Sequence, residues 1–496
     1  MSRIPSRRRP VCSAIIVWLA VACFTAATDR TNDALAAETA GAATRSEWLV
    51  GVARVQVTPA EPMHLAGFGN RVVPAEGTAQ ELEAKALAFA AADSASVHKA
   101  KLVIVTLDLL SVPIELRTEL ERHLAAQHKL PGESLLLNCS HTHCGPELVF
   151  TEAELATLPP ERAAMCRRYN TTLVTKLKRL IDDALAALAP AKLSYGHARC
   201  AFAMNRRLPA ESGDPEKYLN RPNPEGVVDH DVPVLKVERP DGKLAAVLFG
   251  YACHNTTLNF KQFHGDYAGH AQHFIEARHP GTVALFLMGC GGDQNGYPRF
   301  KPEYSEQHGR SLALAVEAAL EAKSREVRGP LRAAYDTVPL EFQQPRAEHL
   351  KARMATGAEY SKASAPYLLD WDKRRLAGLE AGTLIKSYPF PAQAIRFGDD
   401  LLLVALAGET VVDYSLRLKR ELGDNNAAGK AAVWVAGYSN DVFAYVPSKR
   451  VLLEGGYEAE RAMAYGPTTT MPGPFAPSVE ETVVGLVRKL VEAVSK

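Results

Sequence analysis

The sequence predicts an α/β fold: a mixed, largely buried central sheet flanked by helices, with a metal site at the carboxyl ends of strands. Three observations predict it. Apolar runs recur along the 496-residue chain, and each stops at polar residues. Helical stretches at 112–128, 159–189, 307–323 and 411–422 separate many of these runs. Two run ends carry histidine, one carries glutamate and two carry aspartate. Near-continuous apolar runs are what strands covered on both faces look like. Their alternation with helices is the α/β pattern, and ligands of open α/β sheets gather outside the carboxyl ends of strands.

In chain order, the run at 50–59 reads as an opening strand, after a linker at 37–49. Ala66-Gly67-Phe68-Gly69-Asn70 is a glycine-containing turn, and the Ala/Glu/Leu-rich stretch at 79–92 fits either a loop or a strand. The run at 102–107 ends at Asp108. The run at 134–137 leads into Asn138-Cys139-Ser140-His141-Thr142-His143-Cys144-Gly145-Pro146. Two histidines at i, i+2 in extended backbone point to one side, and Gly145-Pro146 then breaks the strand. Imidazole is the commonest metal ligand, yet a His-x-His pair alone also fits hydrogen-bonded histidines. Residues 203–226, rich in Asn, Arg, Pro and Gly, read as a long surface loop, often functional at that length. A strand beginning at Asp229 is turned by Pro240-Asp241-Gly242 into the run at 245–253, a hairpin signal that makes the sheet mixed.

That run ends at His254-Asn255-Thr256, and the run at 283–288 ends in Gly289-Cys290-Gly291-Gly292-Asp293-Gln294-Asn295. The run at 401–406 ends at Gly408-Glu409-Thr410, and that at 431–436 at Gly437-Tyr438-Ser439-Asn440-Asp441. His270 and His273, at i, i+3 of a helical stretch, read as structural. Asp108 and Asp293 fit equally an orienting role behind metal ligands or the capping of turns. Residues 340–375 show no period and fit an insertion. Residues 480–494 form an amphipathic helix with Val483, Val484, Leu486, Val487, Leu490 and Val491 on one face.

Composition is globular, with 47% hydrophobic and 23% charged residues and a net charge of +1. There is no basic stripe and no recognition motif, so no nucleic-acid partner is expected. Arg7-Arg8-Arg9, an apolar run at 11–24 that is short for a membrane span, and Ala34-Leu35-Ala36 together read as a secretory signal peptide at 1–36. An uncleaved membrane anchor is the other reading. An exported chain permits disulfides, and six cysteines lie beyond the signal: Cys139, Cys144, Cys166, Cys200, Cys253 and Cys290. None forms a C-x-x-C pair, so a thiolate zinc knuckle is not expected. Cys139, Cys253 and Cys290 sit at strand ends, where a small buried thiol is the plain reading.

Several of these stretches together resemble a known family. Ser140-His141-Thr142-His143-Cys144-Gly145-Pro146, Val228-Asp229-His230-Asp231-Val232-Pro233-Val234-Leu235-Lys236 and Tyr251-Ala252-Cys253-His254-Asn255-Thr256-Thr257 are three of them. Gly289 to Asn295, Ala407-Gly408-Glu409-Thr410, Gly437-Tyr438-Ser439-Asn440 through Ala444-Tyr445-Val446, and Gly456-Tyr457-Glu458 follow in order. They resemble the catalytic domain of the neutral/alkaline, non-lysosomal ceramidases. The resemblance implies one zinc ion held by His141, His254, Glu409 and Tyr445. It also implies His143 near the bound water or oxyanion, Arg206 as an active-site arginine and Tyr457 on the substrate side. Two departures stand out. Where the family carries a catalytic serine in Gly-Asp-x-Ser-Pro-Asn, this chain reads Gly292-Asp293-Gln294-Asn295. An amide cannot be that nucleophile, though it can donate a hydrogen bond to an oxyanion. No counterpart of the family's C-terminal immunoglobulin-like domain is expected, so that residues 50–496 form a single hydrolase domain.

The expected function is a secreted or periplasmic hydrolase with Zn2+ as cofactor, cutting an N-acyl amide with zinc-activated water. His143, Arg206 and Asn295 would assist catalysis. A small-molecule or lipid substrate is expected, with peripheral membrane contact allowed and no obligate protein partner. Two alternatives stay open: a secreted binding protein that kept the fold and lost catalysis, which Asn295 favours, and a zinc hydrolase of other esters or amides, which a polar pocket would favour.

Overall fold

The computed structural model describes residues 48–69, 71–91, 101–211, 217–357, 365–423, 429–465 and 471–496. The expected signal peptide at 1–36 and all of the linker except its last two residues lie outside them. Those two, Trp48 and Leu49, open the first strand, Trp48–Gln56.

Trp48–Gln56 pairs antiparallel with Glu83–Ala91 on one side and Ala189–Arg199 on the other. It lies inside a nine-stranded sheet ordered Val283–Met288, Leu244–Tyr251, Asp231–Glu238, Ala189–Arg199, Trp48–Gln56, Glu83–Ala91, Lys101–Leu107, Leu135–Cys139, with Arg325–Val327 paired to Ala189–Arg199. The sheet is mixed, as expected. Lys101–Leu107 runs parallel to Leu135–Cys139, Leu244–Tyr251 runs parallel to Val283–Met288, and the expected 231–251 hairpin is present. Traced through the pairing, the two parallel pairs point in opposite directions. Adjacent strands rotate by roughly 20–25°, and across the whole path this twist turns one outer pair toward the other. Asn138 joins them: its Oδ1 accepts from Met288 N at 2.8 Å. Two distant strands thereby deliver their carboxyl ends to one place.

One face of this sheet packs on helices Ile114–His128, Pro160–Ala186, Asp266–Arg278 and Pro302–Glu321, through residues such as Val103, Val105, Leu137 and Phe249. The other face packs on a second sheet, Leu331–Glu341, Ser387–Phe397, Leu401–Leu406 and Ala432–Ala436. Alternation along the strands sorts the side chains: Leu102 and Ile104 face the second sheet, and Leu401 and Leu403 face the first. Phe397 meets Trp48 and Phe89 with ring centroids 5.7 and 5.4 Å apart. Each such fully buried side chain contributes about 1.5–3 kcal/mol. Leu402, Val404 and Leu406 point outward to helices Val412–Leu422 and Val479–Ser495, the latter burying all six residues of its expected apolar face. The layers are therefore helices, sheet, sheet, helices.

Other expectations are corrected. The undecided stretch at 79–92 contains the strand Glu83–Ala91. The loop expected at 203–226 contains a hairpin, Ala203–Pro209 with Tyr218–Asn223, whose first strand also pairs with Gln294–Gly296. Arg206 and Arg207 in its first strand are buried against glutamates rather than lying on a surface loop. The featureless 340–375 segment holds helix Ala347–Thr356 and the start of Ala365–Glu380. The six cysteines beyond the signal are all buried and unpaired. Among the described residues, no helix is long and apolar enough to cross a membrane.

Candidate metal centre

The strand Leu135–Cys139 stops one residue before Ser140, and His141 turns into the left-handed region at φ 57. The two histidines are thus not aligned by extended backbone, as the i, i+2 spacing suggested. They converge through a turn, in which Thr142 Oγ1 donates to His264 O at 2.7 Å and His143 N to Asn255 O at 3.3 Å. His254 follows Leu244–Tyr251 and is held by its N–H donating to Gln294 O at 2.8 Å. Glu409 and Tyr445 are direct partners in a short parallel ladder, Glu409–Thr410 with Tyr445–Val446. Gly408, at φ 69, makes the bend that sets Glu409 there. A Cβ on it would lie 2.7 Å from Val446 Cγ2 and 2.8 Å from Ala444 O.

The tautomers follow from the hydrogen bonds. His141 Nδ1 lies 2.6 Å from Leu110 O, and His254 Nδ1 lies 3.0 Å from Gly291 O. A carbonyl only accepts, so both Nδ1 atoms carry a proton, and in the neutral imidazole Nε2 then keeps the lone pair. Those two lone pairs face Glu409 Oε2 at 3.2 and 3.3 Å. That oxygen is buried and has no hydrogen bond. In that form three electron-donating atoms approach one another. Donors on a tetrahedral ion with bonds of about 2.1 Å lie about 3.4 Å apart, which matches this spacing. Tyr445 OH adds a fourth donor, 3.2 Å from His254 Nε2, and His143 Nε2 lies 3.2 Å from His141 Nε2. His141, His143 and His254 form a buried cluster able to hold a metal ion. The donor set fits one.

Burial depresses the pKa of His143 and His254 well below the usual imidazole range, with neighbouring histidines and Arg206 acting the same way. Both are neutral at physiological pH, as ligands or proton acceptors must be. His143 Nδ1 is buried and without a hydrogen bond. Burial raises the Tyr445 phenol well above its ordinary value, against the pull of Arg206.

Arg206 enters from the hairpin. Its Nη2 donates to Tyr445 OH at 3.1 Å, Nη1 to Asn295 Oδ1 at 3.3 Å and Nε to Glu458 Oε1 at 2.8 Å. Asn295 Oδ1 also accepts from Thr256 Oγ1 at 3.2 Å, and its amide donates to Tyr297 OH at 3.3 Å. Tyr457 stands 5.5 Å from the Tyr445 ring. All eight singled-out residues therefore share one neighbourhood. Two others matter and were missed. Tyr438 OH lies 3.1 Å from His254 Nδ1, and Glu458 pairs with both Arg206 and Arg207. Both lie in motifs that carried the resemblance, but a buried tyrosine and a buried glutamate have no periodic signature. Asp293 caps the helix after Glu409, accepting from Val412 N at 2.8 Å, while Asp108 holds Glu83 N and Gln272 rather than a histidine. His270 is half-buried and His273 exposed on their helix, apart from the cluster.

Residues 48–296 match the family model of the neutral/alkaline non-lysosomal ceramidases, N-terminal. The chain belongs to that family. Its fold is similar to the crystal structure of the neutral ceramidase from Pseudomonas aeruginosa, with a TM-score of 0.65 and 19% identity over 90% of this chain and 74% of that one. It is equally similar to a structure described as ceramidase complexed with C2, with a TM-score of 0.65 and 18% identity over 91% and 75% of the two chains. No curated protein matches significantly. Ceramidase membership implies a hydrolase. The matched region contains His141, His143, Arg206, His254 and Asn295. Glu409, Tyr445 and Tyr457 lie beyond it and are brought to the centre by the fold.

Two predictions arise here. Gly67, at φ +93, lies so close over His143 that a Cβ on it would sit 2.3 Å from His143 Nδ1. Gly67→Ala is expected to push the imidazole aside and cut turnover about 100-fold, the scale of a misplacement near 1 Å, with metal content unchanged. Steady-state kinetics beside metal analysis checks this. Near the centre, burial pushes the Asp441 carboxyl up to about 7, against the hydrogen bond from Tyr388 OH at 2.7 Å. A carboxyl raised in the folded state stabilises fully below its unfolded pKa, near 4, and loses that contribution as pH climbs to about 7. Asn cannot titrate, so the stability of Asp441→Asn relative to the parent should rise through this window by at most about 1.4 kcal/mol per pH unit, then level off. Urea denaturation at several pH values measures it.

Proposed function

We propose that this chain is an exported, zinc-dependent amidohydrolase that cleaves the N-acyl bond of a lipid-like amide. The observation that supports it most is the orphaned Glu409 Oε2 between two deprotonated imidazole nitrogens. His141, His254, Glu409 and Tyr445 would hold the zinc. When bound, zinc supplies a Lewis acid and lowers the pKa of water from 15.7 to about 7.

The chain's own groups account for the rest. Neutral His143, whose Nε2 faces the centre 3.2 Å from His141 Nε2, accepts a proton there from the attacking water and returns it to the leaving amine. Arg206 uses three of its five N–H donors on Glu458, Asn295 and Tyr445. The remainder are available to a developing oxyanion. Asn295 serves as a bracket for Arg206 rather than as a nucleophile, so this route needs no serine. An aromatic series leads outward. Tyr445 to Tyr457 is 5.5 Å, Tyr457 to Tyr465 is 6.3 Å and Tyr465 to Tyr367 is 5.0 Å between ring centroids, and the last two are 42% and 40% exposed. Such an apolar-faced wall suits an acyl chain better than a phosphate.

Hydrolysis of fluorogenic N-acyl amides of graded chain length, before and after chelation, tests the proposal. Chelator-sensitive turnover that improves with chain length is expected. Full turnover in chelator would refute the metal, and a preference for short polar acyl groups would refute the lipid.

A further inference from the structure

A second convergence of metal-binding side chains lies between two helices that the proposed chemistry does not use. His123 and His128 stand in the last turns of Ile114–His128, and Asp182 stands near the end of Pro160–Ala186. Both imidazoles aim Nε2 at the same oxygen, Asp182 Oδ1, at 2.8 and 2.6 Å. Their ligand atoms all lie within 4.8 Å of one another. The backbone that carries them is rigidly placed. Leu116, Leu120 and Leu124 of one helix and Leu173, Leu177 and Ile181 of the other are buried in one core, so little ordering remains to be done on binding.

We propose that His123, His128 and Asp182 form a second divalent-cation site, for zinc or a neighbouring late first-row metal, which clamps these two helices together. The donor set is two neutral nitrogens and one carboxylate, which suits zinc, copper or nickel better than magnesium or calcium. Three protein ligands with water completing the shell is a known zinc arrangement. The side chains are 14%, 25% and 41% exposed, so water reaches the site. Nearby cations are turned elsewhere: Lys178 pairs with Glu119, and Arg179 with Asp183. For the metal to enter, each imidazole moves its proton from Nε2 to Nδ1, where no hydrogen bond to the described residues competes. The two contacts to Asp182 then widen to about 3.4 Å, the separation of donors on a tetrahedral ion.

The test is zinc titration of the full chain, read by isothermal calorimetry and by thermal midpoint. The parent is expected to bind one equivalent that is absent from His123→Gln/His128→Gln and still present in His254→Ala, and its midpoint is expected to rise with zinc concentration. Asp182→Asn should weaken that equivalent by about 10-fold or more. An unchanged equivalent in the double variant, or no zinc response in the parent beyond the His254-dependent one, overturns the proposal. Should the double variant fail to fold, cobalt substitution of the parent decides: a second cobalt equivalent with visible d–d bands supports the site, and a single equivalent overturns it. Because loss of the His254-dependent equivalent is a separate event, failure of either site is told apart from failure of the other.

Discussion

His254→Ala is expected to lose one equivalent of metal and to lower hydrolysis by about 10⁴-fold or more, as when one member of a catalytic unit is removed. His254 contributes the Nε2 that faces both Glu409 and Tyr445, and its Nδ1 is locked to Gly291 O, so no neighbour can substitute for it. The side chain is nearly fully buried, and alanine leaves a small polar cavity whose cost falls on the centre rather than on the cores. Metal analysis by mass spectrometry and steady-state kinetics read the result. His143→Ala is the control, since it should lose turnover while keeping the metal. Equal metal loss in both variants would make His143 a ligand and would revise the proposed proton transfer.

The second large effect is on stability. Glu458 is buried between Arg206 Nε at 2.8 Å and Arg207 Nη1 at 2.6 Å, and both arginine side chains are almost entirely inaccessible. Glu458→Ala leaves two buried cations without their shared anion, and breaking a buried pair in this way costs about 3–5 kcal/mol. Arg207 keeps Glu454 at 3.0 Å, so the larger strain falls on Arg206 and, through it, on Tyr445. Denaturant unfolding of Glu458→Ala beside Glu458→Gln measures this. The glutamine keeps an acceptor and should cost less. A loss under about 1 kcal/mol in the alanine variant would show that water reaches these arginines.

Much of the centre is legible because its proposed ligands sit where apolar runs stop. His141, His254 and Glu409 each follow such a run, and hydropathy alone locates those ends. The convergence of His141 and His143 was expected for a reason the backbone does not honour, since His141 leaves the extended region. Arg206 stands out in the sequence, yet its setting reads there as a surface loop. Charge implies solvent unless a buried partner is known, and Glu458 lies 252 residues away. The second sheet was invisible for a related reason. The run at 401–406 is apolar at every position, and a strand covered on both faces gives no sign whether a helix or another sheet covers it. Only the pairing of Phe397 with Trp48 and Phe89 decides that.

The most direct test of the metal centre is a crystal structure of the purified chain with anomalous diffraction collected on both sides of the zinc edge. A zinc-specific peak is expected about 2.0–2.2 Å from His141 Nε2, His254 Nε2 and Glu409 Oε2. A centre with no peak and with a proton or water bridging Glu409 to the imidazoles would contradict it.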